Sequence, residues 1–490
     1  MWRPALPFPV AWLAPIAVVL VALLVRLRGL ADMPLWYDEI VTLNRAGLPF
    51  RALVGDAFAN MHYPTYFLLA KPVIGFGAEA ARVLSAVFSA LTAGAVALIT
   101  RRLTGCGWTA AAAGLLLALA PFQVLYGQEA RAYALLTLAI TVALTGLLRL
   151  AAAECPATDR TGLLLWTGGS AIAACTMSLG ASWLLVSMLV FPFLILRTPA
   201  ADRVELMQRG AAALVIVLAC WAPLLAGVLD PVGTTVSNGT WVPPTNLKGV
   251  RTGLSSVFLF RLSEPIAFEP VSMGLQAFGV AVLAAAFVGV WRLRRRLTIL
   301  ITLVLSAVAL PVLLLAVSAV SPVFIPRYLI WVAVPFAVLA AVGFGAVGRR
   351  YRPAAAAAIL IAGLWNLEPY YRADLKPDWP GALYAVWDEA AEGDALYLIS
   401  PLEQFAAQIL ENKARPWQLP VPRLTSDREV LSRLLAGATV WMIDTYSRKH
   451  GADETKVSPA RFAPLGRVEA ERTFGQRVTL YRIVPAPQDG

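Results

Sequence analysis

Charged side chains are scarce in this sequence. Asp, Glu, Lys and Arg make up 14% of the 490 residues, whereas hydrophobic residues make up 59%, and the mean hydropathy is +0.68. Because charged residues supply about a quarter of an ordinary soluble domain, this composition excludes that class and predicts a membrane protein.

Cysteine is also rare. The four cysteines are Cys106, Cys155, Cys175 and Cys220, and all of them fall in apolar runs or in the short linkers between them. The segment after residue 370 has none. Neither a disulfide framework nor a cysteine-based metal site is indicated.

Long apolar runs, by contrast, recur over the first three quarters of the chain. Each is long enough to cross a bilayer, and we predict about eleven transmembrane helices, a number that depends on how residues 163–197 are divided. The runs lie near residues 10–27, 83–100, 108–125, 132–150, 163–180, 182–197, 211–229, 273–291, 297–318, 328–347 and 353–369. The first run leads into "LWYDE" without a small-residue cleavage site, so we interpret it as a retained span.

The net charge of +11 is unevenly distributed. The excess of Lys and Arg lies within residues 1–369, where arginines cluster in alternate linkers such as "RLRRR" (292–296) and "RRYR" (349–352). This is the positive-inside pattern, which predicts that these linkers and the N-terminus are cytoplasmic. The predicted outer segments are then residues 28–82, 126–131, 230–272, 319–327 and the tail. A nucleic-acid partner is not indicated.

Two segments outside the spans have a distinct composition. Residues 370–490 read as a soluble extracytoplasmic α/β domain. An amphipathic helix followed by a buried strand is predicted within residues 376–401, further strands near 439–446 and 477–484, and a helix near 428–437. This domain shows no catalytic constellation of its own, and we predict a structural or acceptor-contacting role. The Gly-, Pro- and Thr-rich loop at 230–272 is typical of an irregular lid or binding loop.

One motif resembles a dinucleotide-binding fingerprint. "GFGAVG" (343–348) fits G-x-G-x-x-G, but it ends an apolar run instead of following a strand and opening a helix. We therefore predict that its small residues allow close helix packing.

Polar and aromatic residues accumulate in the predicted outer segments. Any one of them alone is typical of an interfacial anchor, but together they predict a site. They comprise the acids Asp38, Glu39 and Glu129, the cations His62, Arg131 and Arg327, and the aromatic residues Tyr63, Tyr133 and Tyr328. A carboxylate can deprotonate an acceptor hydroxyl or amine, arginine can bind a phosphate, and aromatic surfaces suit sugar rings and isoprenoid chains. This combination predicts group transfer from a phosphorylated lipid.

Five short segments occur in the same order as in a known family. They are "LWYDE", "HYPTYFLL", "GQEARAYALLTL", "PRYLIWVAVP" and "KPDWPGAL", and they extend over about residues 1–400. With them the sequence resembles the GT-C glycosyltransferases of family 39 type, the bacterial relatives of protein O-mannosyltransferases and of the lipid A aminoarabinose transferase. The resemblance implies a polytopic α-helical GT-C membrane domain (residues 1–369) followed by a small C-terminal α/β domain (residues 370–490).

The resemblance also implies roles for individual residues. Asp38 matches the catalytic base, Glu39 an adjacent supporting or acceptor-orienting acid, and Glu129 the second outer-loop acid near Arg131. His62 and Arg327 match residues near the lipid phosphate, and Tyr63, Arg131, Tyr133 and Tyr328 are assigned to substrate binding with them. "HYPT" departs from the commoner His-Pro-Pro pattern at His62. Family members differ over metal ions, and Asp38, Glu39 and Glu129 are the available hard ligands for a divalent ion.

These observations favour an inverting glycosyltransferase that uses a polyprenyl-phosphate sugar, hexosyl or pentosyl, on the outer face of a bacterial inner membrane. The acceptor is a glycan, a lipid or a protein. A lipid-linked sugar transporter or flippase without catalysis is the alternative, although transporters more often show repeat symmetry and polar residues near the midplane. A scaffold whose tail recruits envelope proteins is a third hypothesis.

Overall fold

The structure is a computed structural model. It describes residues 12–229, 242, 244–261, 273–372, 376–398, 421–444, 459–463, 465–475 and 478–487. Residues 230–241, 243 and 262–272 of the predicted outer loop lie outside the described residues.

Of the predicted outer loop at 230–272, the structure therefore describes residues 242 and 244–261. Residues 247–258 of that loop form a helix, so the expectation of an irregular segment was wrong for this part of it. The helix begins where the side chain of Asn246 accepts a hydrogen bond from the Gly249 amide at 2.8 Å, as an N-cap residue does.

Helices dominate residues 12–372. They are numbered in chain order: α1 (Leu13–Leu27), α2 (Tyr37–Gly47), α3 (Phe50–Ala59), α4 (Thr65–Ala70), α5 (Ala78–Thr104), α6 (Gly107–Ala118), α7 (Pro121–Gly127), α8 (Tyr133–Ala152), α9 (Arg160–Thr176), α10 (Leu179–Met188), α11 (Phe191–Arg197), α12 (Arg203–Leu229), α13 (Leu247–Phe258), α14 (Met273–Leu293), α15 (Leu297–Ser318), α16 (Ala333–Phe344) and α17 (Arg352–Arg372). A 3-10 helix, Pro326–Val332, leads directly into α16.

Helical structure occupies each of the eleven predicted apolar runs over the residues described. Within the described ranges, six helical segments are long and apolar enough to cross a membrane, and a seventh is counted if α6 and α7 form one span bent by 63°. Two shorter apolar helices, Leu13–Leu27 and Ala277–Leu293, add to these. The prediction of a multi-pass α-helical membrane protein is confirmed, whereas the number eleven stays a prediction.

Small residues allow α14 and α16 to pack closely. A Cβ atom added to Gly343 would lie 1.7 Å from the Ala285 carbonyl oxygen, and one added to Gly289 would lie 1.9 Å from the Leu339 carbonyl oxygen. Neither position tolerates a side chain without moving backbone. The prediction that "GFGAVG" serves helix packing is thereby confirmed for Gly343.

The C-terminal segment contains a small mixed sheet. Its described elements are α18 (Trp379–Glu389), β1 (Ala395–Leu398), β2 (Arg423–Leu424), α19 (Asp427–Leu435), β3 (Val440–Asp444), β4 (Gly466–Phe474) and β5 (Val478–Pro485). The strand order is β2-β1-β3-β5-β4, with β2, β1 and β3 parallel and β5 antiparallel to both β3 and β4. The expected small α/β domain is present, and β4 is a strand that the sequence analysis did not predict.

The chain divides into two compact units. The first comprises Met1–Leu30 and Arg45–Arg372, and the second comprises Ala31–Asn44 and Ala373–Gly490. Residues 31–44, which hold "LWYDE", therefore belong with the C-terminal segment. The sequence prediction instead placed residues 31–44 in the domain 1–369 and assigned only residues 370–490 to the C-terminal domain.

Candidate active site

The nine predicted site residues are distributed over both units. Asp38 and Glu39 lie in the second unit, and the other seven lie in the first. Each group is described within its own unit.

The adjacent carboxylates Asp38 and Glu39 occupy the first turn of α2. Neighbouring side chains on a helix diverge by about 100°, and the two environments differ accordingly. Asp38 is partly exposed, whereas Glu39 is 0% exposed and its Oε2 accepts a hydrogen bond from Lys376 Nζ at 3.0 Å. Lys376 is itself 3% exposed. The pair is thus a buried ion pair beside an accessible carboxylate.

Apolar packing explains why this helix joins the C-terminal segment. Ile40, one residue after Glu39, is buried in a cluster with Trp379, Leu383 and Trp441. Helix α18, which supplies the first two of these, begins where the side chain of Asp378 accepts a hydrogen bond from the Gly381 amide at 2.9 Å. The sequence motifs "LWYDE" and "KPDWPGAL" therefore meet in one core.

The "GQEAR" segment links α7 to α8 in the first unit. Glu129 is buried, and its carbonyl oxygen accepts a hydrogen bond from the Arg131 amide at 2.7 Å. The side chain of Gln128 donates to the carbonyl oxygens of Arg26 and Arg28, each at 2.8 Å, and accepts from the Tyr370 hydroxyl. These bonds fix the segment that carries Glu129 to the ends of α1 and α17.

A buried arginine, Arg26, supports the same segment. Its guanidinium donates to the carbonyl oxygen of Ala118 at 2.9 Å and to the hydroxyl of Ser89 at 2.7 Å. Ala118 ends α6, so Arg26 satisfies a carbonyl that the break before α7 leaves without a helical partner. A Cβ atom on Gly127 would lie 2.8 Å from Arg26 Nε, so this close approach requires glycine.

Aromatic residues lie near the segment that carries Glu129. Tyr370 interacts electrostatically with Glu129, Arg26 and Arg82. Tyr133 is buried at the start of α8, and its ring lies 5.0 Å from that of Tyr126. Tyr370 therefore lies close to an acid and two cations in the first unit, and the site roles of Glu129 and Tyr133 stay predictions.

His62 and Tyr63 lie in the turn between α3 and α4. His62 Nδ1 lies 2.6 Å from the Asn60 carbonyl oxygen, and because a carbonyl only accepts, this contact places a proton on Nδ1. The Tyr63 hydroxyl accepts a hydrogen bond from Trp221 Nε1 at 2.9 Å. Burial raises the pKa of Tyr63 above its ordinary value, so its hydroxyl stays protonated. The contact with α12 gives Tyr63 an anchoring role beside its predicted role in substrate binding.

Arg327 and Tyr328 begin the 3-10 helix that precedes α16. Both are partly buried, and the Tyr328 amide donates to the Ile325 carbonyl oxygen at 3.1 Å. The next residues, Leu329 and Ile330, are fully buried. The two predicted site residues thus stand at the edge of a rigid apolar segment.

A metal centre is not assembled by the residues described. Within those ranges, no three His, Cys, Asp or Glu side chains are grouped to hold a metal ion. Asp38 and Glu39 remain the predicted hard ligands of the second unit, but Glu39 is already paired with Lys376. A divalent ion at this site stays a prediction.

Two structural residues of the site were missed by the sequence analysis. Lys376 lies within "KPDWPGAL", yet nothing in the sequence identified its partner. Arg26 carried a clearer signal, since an arginine near the end of an apolar run is costly unless it has partners.

Solved structures of other proteins resemble this one in fold. No family model matches this sequence, and no curated protein matches it. The structure is similar to that of ArnT from Cupriavidus metallidurans in the apo state, with 14% identity, a TM-score of 0.61, and coverage of 95% of this chain and 97% of that chain.

Two further solved structures are similar. ArnT from Cupriavidus metallidurans bound to undecaprenyl phosphate has 14% identity and a TM-score of 0.56, over 95% of this chain and 97% of that one. The S. cerevisiae protein O-mannosyltransferase Pmt1-Pmt2 complex bound to the sugar donor has 16% identity and a TM-score of 0.40, over 47% of this chain and 36% of that one. From the likeness to the two ArnT structures, the chain has the GT-C fold that its five sequence motifs predicted.

Proposed function

We propose that this protein is an inverting glycosyltransferase that moves a sugar from a polyprenyl-phosphate donor to an acceptor on the outer face of a bacterial inner membrane. The observation that carries the proposal is the unequal pair Asp38 and Glu39. One carboxylate is accessible while its neighbour is buried and neutralised by Lys376. The GT-C fold is the context that supports it.

In the proposed reaction, Asp38 accepts the proton of the acceptor nucleophile while that nucleophile attacks the anomeric carbon. A carboxylate has an ordinary pKa near 4 and is ionised at neutral pH, as a general base must be. The bond from the sugar to the phosphate oxygen breaks with inversion, and the electron pair leaves with the polyprenyl phosphate.

The donor phosphate is assigned to Arg327 and His62. Arginine offers a planar fork of N–H donors that matches a phosphate, and doubly protonated histidine offers a second cation. Charge that develops on the departing phosphate is stabilised by such donors. In this proposal Glu129, Arg131, Tyr133 and Tyr328 contact the sugar and its carrier.

A release assay tests the proposal without knowledge of the acceptor. Purified protein is incubated with synthetic polyprenyl-phosphate hexoses and pentoses and with an extract of cell envelope, and free polyprenyl phosphate is measured. We expect release with at least one donor, dependent on the extract. Absence of release with every donor, together with no binding of undecaprenyl phosphate, would contradict the proposal.

Removal of the phosphate-binding arginine provides a residue-level test. We expect Arg327→Ala to weaken donor use by about 2–3 kcal/mol, because a charge-assisted hydrogen bond to phosphate is lost. The measurement is the dependence of release on donor concentration, with His62→Ala in parallel. Arg251→Ala, at an exposed position of α13, is the control. Unchanged donor dependence in both site variants would return Arg327 and His62 to the role of interfacial anchors.

The proposed orientation is open to a separate test. A reporter fused after residue 370 is expected to be exported, and one fused at residue 295 to stay in the cytoplasm, because arginine-rich linkers are retained inside. Alkaline phosphatase and green fluorescent protein activities report the two outcomes. The opposite result at either position would reverse the predicted outer location of the site.

One feature favours the transporter alternative. Helices α6 and α7 are bent by 63° at the break between them, and broken helices are common around transporter binding sites. A transporter needs two compartments, whereas a transferase works in detergent solution. Release of polyprenyl phosphate in detergent therefore separates the two functions.

A further inference from the structure

A cleft of about 220 Å³ lies at the ends of α5 and α14, next to the N-terminal ends of α6 and α17. Three arginines line it: Arg292, Arg296 and Arg352. Thr104, Cys106 and Thr109 add polar groups. None of the residues that line this cleft is acidic. The cleft is therefore electropositive, and it is not part of the site proposed for transfer.

Two of the three arginines, Arg296 and Arg352, contact neighbouring residues of the cleft. Arg296 Nη1 donates to the carbonyl oxygen of Leu103, near the end of α5, at 3.1 Å. Arg352 is hydrogen-bonded to Cys106, and its Nε is buried without a hydrogen-bond partner among the residues described. A guanidinium has five N–H donors, so these contacts leave donors for a bound anion.

The remaining lining of the cleft is apolar. Leu103, Leu293 and Val342 contribute hydrocarbon surface where the membrane helices end. Three cations with no lining carboxylate repel one another, and a phosphate oxyanion would relieve this repulsion. A ligand with phosphate oxygens next to hydrocarbon matches both parts of the lining, and basic pockets between membrane helices bind such lipid headgroups.

We propose that this cleft binds the phosphate headgroup of an anionic phospholipid. Arg292 and Arg352 contact the phosphate oxygens, and Arg296 holds the end of α5 in place. The lipid tails lie along the apolar lining. A free phosphate would share the first of these contacts but would gain nothing from the hydrocarbon surface.

Thiol labelling of Cys106 tests the proposal on the full-length protein. In a variant with Cys155, Cys175 and Cys220 replaced by serine, Cys106 reports occupancy of the cleft. We expect nanodiscs containing phosphatidylglycerol to slow its alkylation at least fivefold relative to phosphatidylcholine nanodiscs. Native mass spectrometry is expected to show phosphatidylglycerol retained by this protein.

Matched arginine variants identify the contacts. Arg292→Gln and Arg352→Gln are expected to lower phosphatidylglycerol retention about tenfold. Arg294→Gln should leave it unchanged, because the Arg294 guanidinium lies 4.1 Å from the Trp291 ring and does not line the cleft. Equal labelling in the two lipids, or equal retention in all three variants, would overturn the proposal. Protection by millimolar inorganic phosphate in phosphatidylcholine nanodiscs would assign the cleft to a free anion instead.

Discussion

Asp38→Asn is expected to lower the rate of sugar transfer by about 10²–10⁴-fold, the typical effect of removing a general base. The substitution keeps the shape of the side chain and its hydrogen-bonding ability but removes the basic charge. Since Asp38 is partly exposed in the first turn of α2, the replacement buries no new polar group. Expression, thermal stability and the proposed binding of a polyprenyl phosphate should therefore stay at wild-type levels, and the release assay measures the effect.

The control for this variant is Asp32→Asn. Asp32 is an exposed carboxylate in the same unit, six positions earlier in the chain. Its replacement removes the same charge from the same segment, and we expect the rate to stay within twofold of wild type. If Asp38→Asn turned over as fast as this control, Asp38 would not be the base, and the acidic pair would be a solvated helix end.

Lys376→Met is expected to destabilise the second unit by about 3–5 kcal/mol, because it leaves the carboxylate of Glu39 buried without its cation. The ion pair joins side chains that are 3% and 0% exposed, so water cannot replace the lost partner. Transfer should fall together with stability, since α2 also carries Asp38. Thermal unfolding and the release assay measure the two effects.

A double variant separates charge pairing from packing. In Glu39→Leu/Lys376→Met neither charge remains, and apolar residues can replace a buried ion pair at little cost. We therefore expect the double variant to be more stable than Lys376→Met alone. Arg472→Ala is the matched control, because its ion pair with Glu389 is 40% and 47% exposed and is expected to contribute no more than about 1 kcal/mol. Equal stability of Lys376→Met and this control would contradict the role of the buried pair.

The sequence predicted the helical segments because hydrophobic length is a strong local signal. It predicted the strands β1, β3 and β5 for the same reason, as short apolar runs between turns. The bend between α6 and α7 was missed within a run predicted as one span, although Pro121 disfavours helix at the residue before it. The local sequence pattern thus predicted where the helices and strands lie, but not the angle between α6 and α7.

The contacts of the site residues with residues far away in the sequence could not be predicted. The divergence of Asp38 and Glu39 follows from their adjacent positions on helix α2. The partner of Glu39 was not predicted, since Lys376 is 337 positions away and an ion pair between such distant residues leaves no periodic signal. The sequence motifs that contain both residues were recognised separately, and only the fold shows that they share a core.

The second unit is built from the beginning and the end of the chain, and this has a consequence for biosynthesis. At about 5–20 residues per second, the ribosome completes Lys376 roughly 17–67 s after Glu39. During that interval the acidic helix has been made but the core that receives Ile40 has not. The nascent protein therefore cannot assemble its proposed catalytic base until translation is nearly finished, and a prematurely terminated chain would insert into the membrane without acquiring activity.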